Sequence, residues 1–321
     1  MRQKILGDWL QKGLIAPENA ERIERFSLGQ PFSLHWELKS LLYLGVVLLN
    51  VGLGFIIYEN IDSIGHAVII VLIGIISAGC FWYAIRHRRP FSLEEVESPT
   101  PYYDYILLLG CLTFLLMEGY WQYQYQIFGT RYGLATFIPM VLFFIVAYRF
   151  DNRGILTMGI TALASWLGVT VTMNDLLTNN DFNSSKVINT GIALGTLLLA
   201  VTFLSERYQV KKHFSLTYLN FGVHILIVGS LAGMMMLEMS AIYFPLLMLA
   251  CGFCVWYARK NESFYFLLLA LLYGYIGITY MLFHTLPDLD VTFYLLYFIL
   301  SCMMIIMFLR NYKRFFKTDA L

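Results

Sequence analysis

From residue 40 to the C-terminus, apolar runs of about 20 residues alternate with short polar breaks, the length a helix needs to cross a bilayer. The runs fall near 40–58, 64–85, 104–121, 131–149, 154–174, 187–205, 217–237, 241–258, 263–283 and 291–309. They predict an all-α, polytopic integral membrane helix bundle of about ten transmembrane helices over residues 39–321. The tightest connection, between the seventh and eighth runs, is Glu238-Met239-Ser240, where Glu238 supplies the charge of a hairpin turn. Residues 1–38 are polar and charged instead. Composition agrees: 59% of residues are hydrophobic and 13% charged, far from the balance of a water-soluble domain. Aromatics at 17% suit rings at membrane–water interfaces.

Charge orients the bundle. Cytoplasmic loops hold the excess of Lys and Arg, and with ten spans both termini face the same side. An N-in/C-in arrangement places twenty of the 22 basic residues inside, leaving only Arg131 and Lys186 outside. Glu59, Asp62, Glu118, Asp175, Asp181, Glu238, Asp288 and Asp290 fall at the outer side, where the positive-inside bias leaves loops acidic. The first 38 residues lack a hydrophobic core ending in a small-residue cleavage site, so the first span is expected to act as an uncleaved insertion signal.

Those 38 residues read as a cytoplasmic helical hairpin. Ile5, Leu6, Trp9 and Leu10 recur at helical spacing, Gly13 breaks the pattern, and Pro17-Glu18 suits the first turn of a second helix. Ala20, Ile23 and Phe26 continue an apolar stripe. Two helices this short build no core alone. They are expected to rest on the inner loops or the membrane, or to dock a cytoplasmic protein partner. The run Trp9-Leu10-Gln11-Lys12-Gly13-Leu14-Ile15, followed by Pro17-Glu18-Asn19-Ala20-Glu21-Arg22-Ile23, resembles the opening of the bacterial domain-of-unknown-function 2157 membrane proteins. The resemblance extends over roughly the first 150 residues, with Ala16 departing from the usual polar N-cap. It implies a multi-pass protein of the bacterial cytoplasmic (inner) membrane and maps no catalytic residue.

Three polar residues within the spans are candidates for a transport site or polar core. Glu118 is an acid inside an apolar run, where charge is costly. It reads either as a coupling carboxylate near the outer mouth or as an interfacial residue beside Tyr120 and Trp121. His224 and Asn50 lie near the middles of their spans and read either as functional groups or as hydrogen-bonding brackets between helices. Thr157, Thr161, Ser165, Gly168 and Thr172 share one helix face, which suits a pathway lining or a packing seam. Gly191/Gly195 and Gly229/Gly233 have the spacing of close helix contacts. Pro139 and Pro245 interrupt helix hydrogen bonding. The outer segment Tyr120–Gln126 alternates aromatics with amides, as in an interfacial belt or a headgroup site.

Chemistry is sparse. Cys251 and Cys254 form a C-x-x-C inside a span rather than at a helix N-terminus, so they read as packing thiols. There is no P-loop, H-E-x-x-H, G-x-S-x-G or dinucleotide fingerprint, and the six histidines are scattered. No enzyme activity, metal, cofactor or nucleic-acid partner is expected. The lipid bilayer is the expected surrounding, and the sequence assigns no oligomeric state. The leading expectation is transport of a small molecule or lipid, since ten helices with both termini inside are similar to the drug/metabolite transporter architecture. The alternative is a non-catalytic anchor or regulatory protein whose hairpin recruits a partner. A polar midplane cavity joining Glu118, His224 or Asn50 would favour transport. A dry, closed core would favour the anchor.

Overall fold

The computed structural model describes residues 35–129, 131–177, 185–237, 240–287 and 290–316, so the expected hairpin over 1–38 lies almost wholly outside the described residues. The described elements are α1 (His35–Ile64), α2 (His66–His87), α3 (Tyr103–Tyr125), α4 (Tyr132–Phe150), α5 (Arg153–Leu177), α6 (Ser185–Tyr208), α7 (Ser215–Met236), α8 (Ser240–Lys260), α9 (Phe264–Thr285) and α10 (Val291–Phe316). A 3-10 turn, Lys212–Phe214, leads into α7. No strand occurs among these residues. Among the described residues nine helices are long and apolar enough to cross a membrane. The remaining one, α5, has 25 residues, the length of a span. In hydrocarbon every backbone N–H and C=O must bond internally, and a helix achieves this within one segment. The expected spans and the observed helices therefore coincide one for one.

The helices run past the apolar runs at several ends. α3 continues through Gln122–Tyr125, so most of the aromatic–amide segment is helix rather than outer loop. α6 and α10 also continue into polar sequence. Glu238 and Met239 of the expected tight turn lie outside the described residues, and α8 begins at Ser240.

The chain divides into two compact units, residues 1–63 and 64–321. In the first, α1 presents Leu41, Leu44, Leu48, Val51 and Phe55 as exposed apolar side chains, the surface a lipid-facing helix needs. In the second, α2 packs on α3, α4 on α5, α6 on α7, and α8 on both α7 and α9. The centre is α7: half of its window is buried, against none for α10. Its Leu219, Val223, Leu226, Ile227 and Met234 join Leu247, Cys251 and Cys254 of α8 and Phe266, Leu267 and Ala270 of α9 in one core. The two thiols thus serve as packing groups. α10 leans on α9 through side chains: Tyr275 and Ser301 hydroxyls lie 3.1 Å apart, and those of Thr279 and Tyr297 lie 2.7 Å apart. A five-plus-five repeat would make α9–α10 the counterpart of α4–α5. The dense α4–α5 pairing has no equal there.

Small residues set the α6–α7 seam. A Cβ on Gly195 would sit 2.7 Å from the Leu226 backbone nitrogen, and one on Gly222 would sit 3.1 Å from the Gly195 carbonyl oxygen. Lipid tails are as apolar as leucine, so such close backbone packing holds helices together in a membrane. Gly191 meets only Ile225, at 4.0 Å. Gly195→Leu is expected to force α6 off α7 and cost about 1–3 kcal/mol or more, whereas Gly191→Leu should cost clearly less. Thermal unfolding of the two purified variants in one detergent checks the contrast. Equal melting temperatures would contradict it.

Candidate functional site

Leu107, Cys111, Glu118 and Gln122 fall on one buried face of α3. Glu118 is 4% exposed, so its side chain is packed among the helices. Its Oε1 is enclosed without a hydrogen-bond partner. One turn on, Gln122 ties the α3–α4 loop to the helix: its amide nitrogen donates to the Gly129 carbonyl at 3.1 Å, and the Phe128 N–H donates to its oxygen at 3.0 Å. The Tyr120 hydroxyl meets the His66 ring of α2 at 2.6 Å.

His224 sits on α7 with both ring nitrogens engaged by α9, Nε2 with the Tyr265 hydroxyl at 2.7 Å and Nδ1 with that of Tyr273 at 3.4 Å. It is a bracket between two helices, and it also lines an apolar groove with Ile188, Gly191 and Val228. Asn50 belongs to the first unit. Its amide donates to the Val46 carbonyl at 2.8 Å, one turn back on α1, and its Oδ1 has no partner. Glu118 and His224 share no hydrogen bond among the described residues and stand on separate helix pairs. Among the described residues, the groove that His224 lines does not include Glu118.

A different intramembrane space does form. Leu112 and Leu115 of α3, Ala135, Thr136, Pro139 and Phe143 of α4, and Thr157, Met158, Thr161, Ala162 and Ser165 of α5 line a groove of about 350 Å³. The hydroxyl stripe of α5 is thus a wall. Its hydroxyls are satisfied within their own helix: Thr157 donates to Gly154 O at 2.6 Å, Thr161 to Thr157 O at 2.9 Å and Ser165 to Thr161 O at 3.0 Å. Their hydroxyl hydrogens are thus engaged within the helix, and their oxygens keep acceptor capacity. Pro139 lacks the N–H that would bond the Ala135 carbonyl, and both residues line the same wall.

At the basic ends of these helices lies a cluster the sequence reading missed. Asp151, in left-handed conformation at the C-terminus of α4 (φ 59°), has a side chain only 3% exposed. Its Oδ1 meets Lys211 Nζ at 3.1 Å, and Lys211 is 1% exposed. The same oxygen accepts a very short hydrogen bond from His213 Nε2. Asp151 Oδ2 accepts the Val96 N–H at 2.5 Å, and the Lys211 N–H donates to Leu93 O at 2.9 Å. Asn152 caps α5, accepting the Ile155 N–H at 3.0 Å, and its amide donates to Asp104 Oδ1 at 3.1 Å. Ser98 donates to the other Asp104 oxygen at 2.6 Å. The α2–α3, α4–α5 and α6–α7 connections are thereby knotted together. The α2–α3 connection, residues 88–102, forms a strap across the knot. One clue was present in the sequence: Asp151 is an isolated acid between Arg149 and Arg153 in an otherwise basic loop. Its partners stand about 60 positions away, which no local pattern indicates.

Among the described residues no cluster of His, Cys, Asp or Glu is arranged to hold a metal. Helices, grooves and knot together define a polytopic all-helical membrane protein. Residues 7–156 match the family model described as Predicted membrane protein (DUF2157), the family that the motifs over residues 9–23 resemble. The match takes in the strap and Asp151 and stops ahead of Lys211 and His213. No curated protein and no solved structure matches the chain.

The two buried acids are expected to respond in opposite ways. Removing one partner of a buried ion pair strands the other charge, at a cost of about 3–5 kcal/mol. Asp151→Ala should therefore unfold the protein at markedly lower temperature. Glu118 has an oxygen with nothing to bond, and Glu118→Gln keeps its shape while removing the charge, so a loss above about 1 kcal/mol is not expected. Melting curves of both variants in the same detergent decide the matter. A Glu118→Gln variant as unstable as Asp151→Ala would show that the Glu118 carboxylate is itself a structural anchor.

Proposed function

We propose that the protein is a non-catalytic membrane protein that takes a lipid or lipid-like small molecule from the bilayer into the groove between α3, α4 and α5, and that passage of such a molecule along this groove is its activity. The groove carries the reading. Its volume of about 350 Å³ suits an acyl segment or a compact apolar molecule. Leu115, which lines it, is an exposed apolar side chain, so a ligand enters sideways from hydrocarbon. The hydroxyl oxygens of α5 offer acceptors to a single donor group on the ligand. Coupling to an ion through Glu118 has less support, because Glu118 is not among the groove-lining residues. A filled groove tests the reading. Ala162→Trp should reduce labelling by a photoactivatable lipid about tenfold, while Leu249→Trp on an exposed face of α8 should leave it unchanged. Equal labelling of the two variants would end the groove hypothesis.

The second reading, a membrane anchor whose N-terminal hairpin recruits a cytoplasmic partner, is favoured by the knot. A buried ion pair holding three connections opposes the rocking that alternating access requires. In both readings we place the knot and both termini on the cytoplasmic side of a bacterial inner membrane, from the separation of Lys and Arg. A reporter fused at Leu321 should read cytoplasmic and one inserted between residues 178 and 184 should read external. The reverse pattern would put the knot on the outer face.

A further inference from the structure

The strap over the knot encloses a small basic recess that the groove reading does not use. Arg88 and Arg89 at the start of the strap, Ser92 and Ser98 along it, Arg149 at the end of α4 and Lys211 line it. Its free volume of about 20 Å³ admits one water-sized group at the bottom. Anything larger must leave its body at the mouth.

The charges are unevenly answered. Lys211 is matched by Asp151. Glu97 is the other carboxylate on the wall, and Asp104 at the start of α3 already accepts from Ser98 and Asn152. Among the described residues Arg88, Arg89 and Arg149 form no ion pair. Arg149 Nη1 is enclosed within the protein and has no acceptor. A guanidinium N–H withdrawn from water without an acceptor is a standing cost that an incoming oxyanion removes. The N-terminus of α3 reaches the recess at Tyr103, adding the favourable end of a 23-residue helix dipole. Asp104 offsets part of that field.

We propose that this recess binds a phosphoryl oxyanion, with the Arg88, Arg89 and Arg149 guanidiniums as its ligands. One phosphoryl oxygen occupies the bottom, and the remainder of the molecule stays at the mouth. The recess sits where the basic ends of α2 and α4 leave the membrane, the level at which basic pockets between helices meet anionic headgroups. The phosphodiester of an anionic phospholipid, delivered by the adjoining leaflet, is the source its position favours. Free inorganic phosphate shares the chemistry.

The probes are phosphatidylglycerol, phosphatidylcholine and inorganic phosphate, applied to the full chain purified in detergent. Native mass spectrometry should show phosphatidylglycerol retained about tenfold over phosphatidylcholine, and Arg149→Gln should remove the preference. Arg149→Lys should restore part of it, because Lys keeps the charge and loses the fork. Arg207→Gln, a basic residue at the end of α6 outside the recess, should leave it intact. If Arg149→Gln lowers the melting temperature, Arg89→Gln on the exposed rim carries the test. A thermal shift from inorganic phosphate that Arg149→Gln abolishes, with no preference between the lipids, would keep the oxyanion site and name a free anion as its ligand. Equal retention of the two lipids with no phosphate shift would overturn the proposal. So would a lipid preference that survives both recess variants.

Discussion

Hydrocarbon offers no hydrogen bonds, and this constraint shapes the rest of the structure. A backbone crossing it must bond to itself, which restricts each crossing to a helix. It also removes the hydrophobic drive between helices, so cohesion rests on close packing and on the few polar contacts the spans contain. Both consequences are visible. Gly195 and Gly222 let the α6 and α7 backbones approach to the limit of contact. His224 and the α9 tyrosines, and the hydroxyl pairs between α9 and α10, bracket neighbouring helices.

The polar groups that the membrane excludes gather at the helix ends, and there the fold is knotted most firmly. Asp151 and Lys211 both adopt left-handed backbone conformations, which carry a penalty for residues with a Cβ. Those conformations turn each chain back so that the two side chains meet under the strap. One carboxylate accepts from Lys211, His213 and the Val96 N–H, so its charge is well compensated despite burial. The bundle is thus closed by charge at one face and by apolar packing in the interior, with the groove between α3, α4 and α5 left open to lipid.

The fold was legible because it is written in a one-dimensional property. Apolar run length determines the number of helices, and every run became a helix. Helix ends were less legible. The polar residues Gln122 and Gln124 marked an interface in the sequence, yet α3 continues through them because Gln122 finds two partners in the α3–α4 loop. The sites were least legible, since they depend on pairings that periodicity does not encode. Glu118 stood out in the sequence as an acid inside an apolar run, but its burial depended on which face of α3 is packed. Asp151 drew no notice among its arginine neighbours, because its partners Val96, Lys211 and His213 lie 55 to 62 residues away.

The α5 stripe shows why residue type alone does not distinguish a polar pathway from an apolar wall. Thr157, Thr161 and Ser165 carry three hydroxyls on one face, and in solution each would be a donor. Within the membrane an unpaired O–H is costly, so each donates to a carbonyl three or four residues back on its own helix. What remains is the acceptor capacity of each oxygen. A cation or a water file would find acceptors, but no donor to relay a proton and no charge. An apolar molecule with one hydroxyl or amide meets a matching surface. The same physics that makes the bundle helical therefore turns a hydroxyl-rich face into a wall whose donors are already engaged.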